Sequence, residues 1–247
     1  MPRVKQEPLT KFYNEDSEAF EIGIDEAGRG PLFGRVYTAA VVLPKDDIFE
    51  YDTMKDSKKF SSSKKILEVA EHIKNNALAW SVTYNDETVV DKINIRQSVL
   101  SSMHNSIKNV IDSTCSGDDV DNSNGSNNSK NKNEYFLLVD GNDFKPYMRF
   151  HDDEFTQVKH ICIEGGDNKF CSIAAASILA KVSRDREVAR IVEEVGAEIG
   201  SGYPHDPRCK AYLADNFRGP IHKYLRKCWA TYKRLNEAQG QSNLSEF

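Results

Sequence analysis

Apolar and polar residues alternate along Phe20-Glu-Ile-Gly-Ile-Asp25, and Val36 to Leu43 is a β-branched and alanine-rich run stopped by Pro44, so both segments predict strands. Serines 61 to 63 offer a cap ahead of Ile66, Leu67, Val69, Ala70 and Ile73, which fall on one helical face. Ala77 to Tyr84 predicts a third strand. Val89, Ile93, Leu100, Met103, Ile107 and Val110 keep helical spacing, with a break near Asn94. Tyr135-Phe-Leu-Leu-Val-Asp140 is an unbroken apolar run closed by an acid and Gly141, the pattern of a strand covered on both faces. Val158 to Ile163 predicts one more strand, and from Phe170 a long helix begins whose Ala174, Ala175, Ala176 and Ser177 allow close approach to a neighbour. The order β-β-α-β-α-β-β-α, followed by a helical C-terminal stretch, predicts an α/β fold with a mixed sheet.

Residues 112 to 133 depart from this pattern: Asp, Ser, Asn and Gly fill 17 of 22 positions, the composition of a disordered surface insertion. The chain therefore divides into an N-terminal extension at 1–19, a catalytic domain at 20–200 that contains the insertion, a basic helical region at 201–236 and a flexible tail at 237–247.

Composition narrows the setting. A hydrophobic content of 39% supports a core. No apolar run approaches the ~18 residues of a membrane span, which excludes membrane embedding. Met1-Pro-Arg-Val-Lys-Gln-Glu-Pro has no apolar stretch of the signal-peptide kind, so a cytoplasmic protein is expected, or a nuclear one in a eukaryote. The five cysteines include no C-x-x-C pair and suit neither a disulfide framework nor a zinc site. A net charge of −5 speaks against an indiscriminate polyanion binder. Between residues 208 and 234, however, eight Lys and Arg stand against Asp215 alone, a local surplus of seven positive charges. Tyr212, Phe217, Tyr224, Trp229 and Tyr232 interleave with them, as in a helix that packs one face and offers the other to nucleic acid.

Asp25 and Asp140 stand at the ends of predicted strands, where side chains of open α/β sheets converge on a cleft. Either one alone suits a turn. Together with Glu26 and Asp167 they form an acidic set that carries a physical cost, because two carboxylates ~4 Å apart repel by about 4 kcal/mol at an effective dielectric of 20. Divalent cations relieve such repulsion, and oxygen-only ligands select Mg²⁺ or Mn²⁺. Two such ions are a known device for displacement at phosphorus. Asp25-Glu-Ala-Gly-Arg-Gly-Pro-Leu-Phe-Gly34 holds three glycines that permit close backbone approach. Lys58 in Asp56-Ser-Lys-Lys59 can reach a phosphate, Lys181, Arg184 and Arg186 follow the alanine-rich stretch, and Tyr203 in Gly202-Tyr-Pro204 can stack on a sugar or base.

Gly23-Ile-Asp-Glu-Ala-Gly-Arg-Gly-Pro31, Asp56-Ser-Lys-Lys59, Leu138-Val-Asp-Gly141, Gly166-Asp-Asn-Lys169, Ala174 to Asp185 and Gly202-Tyr-Pro204, in this order, resemble ribonuclease HII over roughly residues 20 to 235. The resemblance implies an RNase H-like fold, a mixed central sheet flanked by helices, with a C-terminal helical appendage. It implies an endoribonuclease that cleaves the RNA strand of RNA/DNA hybrids and incises 5′ of single ribonucleotides embedded in duplex DNA. The ends left would be a 5′-phosphate and a 3′-hydroxyl.

The same resemblance assigns Asp25, Glu26, Asp140 and Asp167 as catalytic ligands of two Mg²⁺ or Mn²⁺ ions. It assigns Gly28, Arg29 and Gly30 to the ribose 2′-hydroxyl and adjacent phosphate, Tyr203 to the next sugar, and Lys58 and Lys181 to phosphate contact and its support. A monomer is expected. The tail Gln241-Ser-Asn-Leu-Ser-Glu-Phe247 is not read as a clamp-binding motif. Two rivals are a noncatalytic nucleic-acid-binding module of the same fold and a metal-dependent nuclease without ribose-junction specificity.

Overall fold

The computed structural model describes residues 8–46, 48–115, 133–151 and 153–244. Residues 116–132 of the expected insertion lie outside them. The chain forms two compact units, one from Met1–Glu26, Thr38–Thr83 and Met103–Val182, the other from Ala27–Tyr37, Tyr84–Ser102 and Ser183–Phe247.

The first unit is built on a five-stranded sheet. Its strands are β1 (Phe20–Ala27), β2 (Val36–Val42), β3 (Ala79–Asn85), β4 (Tyr135–Asp140) and, after a hairpin, β7 (Lys159–Ile163), in the order β3-β2-β1-β4-β7. β1, β4 and β7 run parallel, with Ile24 opposite Val139 and Asp140 opposite Ile163. The Leu78 N–H donates to the Val42 carbonyl at 3.0 Å, so β3 begins beside the end of β2 and the sheet is mixed, as expected. The central strands are apolar on both faces: β2 is buried along its whole length, and Leu137, Leu138 and Val139 are fully buried.

Helix α1 (Ser63–Asn76) starts where Ser62 accepts from the Lys65 N–H, and buries Ile66, Ala70 and Ile73. Helix α2 (Glu87–Cys115) is interrupted at Asn94, whose φ of 65° is non-helical; its side chain then caps the continuation by accepting from the Gln97 N–H at 3.1 Å. The break expected there is present. The helix runs on to Cys115, however, so residues 112–115 of the expected disordered insertion are helical.

Helix α3 (Cys171–Val195) brings its first turn against β1. Ala174, Ala175 and Ala176 are wholly buried, and a Cβ added to Gly23 would lie 2.1 Å from the Ser172 carbonyl carbon. Only glycine in β1 allows that approach. The N-terminal residues are tied in here: Thr10 bonds Lys169 and Cys171 through the backbone, and Glu21 accepts from the Tyr13 and Asn14 N–H groups at 2.8 Å.

The sequence pattern missed a hairpin, β5 (Met148–His151) with β6 (Glu154–Gln157), antiparallel with Met148 opposite Gln157. Its reason is physical: β6 is exposed throughout and Phe155 keeps 71% of its surface, so no burial alternation marks it.

The second unit holds helices α4 (Pro207–Asn216) and α5 (Ala230–Leu244) with a short 3₁₀ turn at Pro220–Tyr224 between them. Asp206 caps α4 through the Arg208 N–H, and hydrogen bonds from the Ser201 N–H and hydroxyl hold its carboxyl down at about 2. Leu32, Phe33, Ile191, Leu213, Phe217 and Ile221 share one core. Residues of the region expected as a C-terminal helical appendage, 201–236, pack in this core with residues from 27–37 and 183–199. The tail expected to be flexible from residue 237 continues α5 to Leu244. Among the described residues no helix is long and apolar enough to cross a membrane.

Candidate active site

Parallel pairing aligns the ends of β1 and β4. Because Ile24 faces Val139, Asp25 and Asp140 follow as the next residues on adjacent strands. Asp167 sits in the 3₁₀ turn Gly166–Asn168, which follows β7 and leads into α3. That turn is fastened to β4: the Gly166 N–H donates to Asp140 Oδ1 at 2.7 Å. A Cβ at 166 would stand 2.6 Å from the Ile173 side chain and 3.3 Å from the same Asp140 oxygen, so glycine is what lets the turn close.

The acids interact as a chain. Asp25 is only 5% exposed; burial pushes its carboxyl well above the usual range, and the negative charges of Glu26 and Asp140 push it further. A hydrogen bond with the Ser177 side chain and the Glu26 N–H at 2.6 Å work the other way. Ser177 is in turn 3.0 Å from the Ser57 hydroxyl. Asp167, also 5% exposed, is raised first by burial and then by Asp140 and Asp56, with the Lys58 cation and the Asn168 amide opposing. Glu26 is half-buried beside Asp25.

Asp56 is a fifth acid that sequence reasoning missed. It is 7% exposed, accepts from the Lys58 N–H at 2.8 Å and from Asn168 Nδ2 at 3.3 Å, while the same amide reaches Asp167 Oδ1 at 3.1 Å. One asparagine therefore bridges two carboxylates. Lys58 is exposed beside Asp167, and Lys59 donates to Asn168 Oδ1. Lys181 is half-buried on α3, one helical turn beyond Ser177. The available signal for Asp56 was its place before Ser57-Lys58, a turn-capping position.

Gly28, Arg29, Gly30 and Tyr203 belong to the second unit. Covalent continuity keeps Gly28 within two residues of Glu26. A Cβ on Gly30 would meet the Tyr203 ring at 3.0 Å, and the Arg184 guanidinium lies 5.6 Å from that ring's centre. Gly28 has φ of +89°, open to glycine. Beneath this loop lies Arg226, fully buried, which sequence reasoning counted only as one of eight cations.

Among the described residues no three His, Cys, Asp or Glu side chains form a ready-made metal cage. The donor chemistry nonetheless fits hard cations: the acids bear oxygen only, and burial together with neighbouring negative charge raises both Asp25 and Asp167, an electrostatic penalty that a bound cation relieves.

A family model for ribonuclease HII matches residues 22–232. The ribonuclease HII of Bacteroides fragilis is 35% identical over 218 residues, covering 87% of this chain and 92% of that protein. Among solved structures, ribonuclease H2 from Pyrococcus horikoshii superposes with a TM-score of 0.67 at 25% identity, over 88% of this chain and 97% of that one. RNase HII of Archaeoglobus fulgidus, solved in complex with PCNA, gives 0.62 at 26% identity, over 85% and 95%.

Proposed function

The chain belongs to the ribonuclease HII family, and from that premise we propose both its mechanism and its finer substrate. It is an endonuclease of ribonuclease H type that acts on RNA/DNA hybrids. The finer reading is hydrolysis at Asp25, Glu26, Asp140 and Asp167 with two Mg²⁺ or Mn²⁺ ions, including incision 5′ of a single ribonucleotide embedded in duplex DNA. The observation that carries it is the linked chain of acids from Glu26 to Asp25 to Asp140 to Asp167, of which Asp25 and Asp167 are buried, where the parallel strands β1 and β4 end and the turn after β7 meets them.

When bound, two such ions supply an activated water and charge stabilisation for the departing 3′ oxygen. The protein's own part is positional. The Gly166 N–H holds Asp140 in one orientation, and the Ser57–Ser177 hydroxyl pair and the Glu26 N–H orient Asp25. Lys58 offers a cation to the phosphate beside Asp167, and Lys181 supports it. In the second unit, Gly28-Arg29-Gly30 presents main chain without side-chain bulk to the 2′-hydroxyl, the group that separates RNA from DNA, and Tyr203 packs on the next sugar.

The test compares a duplex carrying one embedded ribonucleotide with its all-DNA twin across a titration of Mg²⁺ and Mn²⁺, with Asp140→Asn alongside. Metal-dependent cutting of the first alone is expected. In Asp140→Asn cutting should be lost while hybrid binding in Ca²⁺ persists. Equal cutting of both duplexes would remove ribose specificity, and full activity in the variant would remove Asp140 from the chemistry.

A further inference from the structure

Among the described residues, Arg226 is a cation with no carboxylate among its hydrogen-bond partners. Its side chain is fully buried, and all of that side chain's acceptors are main-chain carbonyls of one loop: Gly34 from Nε at 2.9 Å, Arg29 and Pro31 from one terminal nitrogen at 3.0 Å each, and Gly28 from the other at 2.7 Å. The Arg226 N–H also donates to the Leu32 carbonyl at 2.8 Å, and the Trp229 ring lies 5.1 Å from the guanidinium. Burying such a charge is costly unless every donor is met, and a planar fork of donors is the shape that several converging carbonyls require.

The trans peptide decides what this does to the other side of the loop. In each planar unit the C=O and the following N–H point in opposite directions. Carbonyls of Gly28 and Arg29 turned in to Arg226 therefore aim the N–H groups of Arg29 and Gly30 away from it, at two residues that are both exposed. The guanidinium also polarises those peptides, which strengthens their N–H donors. The next inward carbonyl, Pro31, has its partner N–H on Leu32, and that donor is already given to the Gly202 carbonyl at 2.7 Å.

We propose that Arg226 is a positioning residue for ribose selection: it touches no substrate, but by gathering four carbonyls it holds the Arg29 and Gly30 N–H groups outward as a preformed donor pair. This rests on the reading of Gly28-Arg29-Gly30 as the ribose contact. Lysine at 226 keeps the charge but concentrates it at one point, so it abandons some of the four carbonyls and lets the loop drift.

The experiment uses the full-length protein as wild type, Arg226→Lys and Gly30→Ala. It reads kcat and KM on the embedded-ribonucleotide duplex, and the ratio of affinities in Ca²⁺ for that duplex over its all-DNA twin. The ratio is insensitive to how much of a sample is folded. In Arg226→Lys, kcat should fall by roughly 10²-fold, the effect of a misplacement near 1 Å, with KM within about twofold. The affinity ratio should fall by about tenfold, the worth of one hydrogen bond.

Should Arg226→Lys not fold, Trp229→Leu loosens the guanidinium without removing a carbonyl bond, and the same split in kcat and ratio is expected. A folded Arg226→Lys, or in its place Trp229→Leu, with wild-type kcat and ratio overturns the inference if Gly30→Ala lowers the ratio. If Gly30→Ala also leaves the ratio unchanged, the loop is not the ribose reader, and the inference falls with that reading.

Discussion

Gly23 is where strand β1, which carries Asp25 two residues on, lies against the first turn of α3. A methyl group there would be 2.1 Å from the Ser172 carbonyl carbon, 2.3 Å from its oxygen and 2.5 Å from the Ile173 nitrogen. All three are backbone atoms, so no side-chain rotation relieves the clash. Restoring ordinary contact at 3.4 Å requires β1 and α3 to separate by about 1.3 Å. Overpacking of that kind costs about 1–3 kcal/mol, and more where backbone must move, so we take ~3 kcal/mol for Gly23→Ala.

For a protein of this size, that corresponds to a fall in Tm of roughly 6–12 °C. Since Asp167 stands just ahead of α3 and Asp25 just beyond Gly23, the same displacement separates them. Metal-dependent cleavage should drop by roughly 10²-fold in the molecules that remain folded. Thermal melting in EDTA and single-turnover cleavage at a temperature well below both midpoints check the two parts independently. A variant that melts within about 2 °C of wild type at full activity would show that β1 and α3 do not meet as described.

Asp25→Asn should reshape the pH dependence of the metal-free protein. The folded state holds the Asp25 proton more tightly than the unfolded chain does, first because of burial and then because of Glu26 and Asp140. Its contribution to stability is thus complete below the ordinary value of 3.8 and drains away as pH rises through the raised folded value. In EDTA the variant should gain Tm over wild type at neutral pH and not at pH 3, and Mg²⁺ should stabilise wild type more than the variant; parallel melting curves at every pH would refute this. The basic C-terminal surface offers another measurement. Lys210, Lys227, Lys233 and Arg234 are exposed, and replacing all four by Gln should flatten the slope of log affinity against log salt by up to about 0.9 for each phosphate that is no longer neutralised. An unchanged slope would place the duplex elsewhere. Deleting residues 208–247 is a poor substitute, because Leu213, Phe217, Ile221 and Arg226 are buried core.

What could be read in advance followed from local pattern. Tyr135 to Asp140 announces a strand covered on both faces because every residue before the acid is apolar, and apolar-polar alternation from Phe20 marks β1 as a strand up to Asp25. Asn94 interrupts a helical phase that resumes after it. What could not be read depends on distant partners. Asp56 becomes part of the acidic chain only through Asn168, 112 positions later. Arg226 looks like the seven other cations around it, and nothing nearby in sequence says that it alone among them is fully buried. The β5–β6 hairpin has no core face to give it a period.

The bond between Arg226 and the Gly28 carbonyl spans 198 residues. Loops that long close late, after local structure has formed. A growing polypeptide therefore stays without this fastening until residue 226 has left the ribosome, and a product cut short before that residue leaves the loop at 28–34 slack even where the sheet beside it is complete.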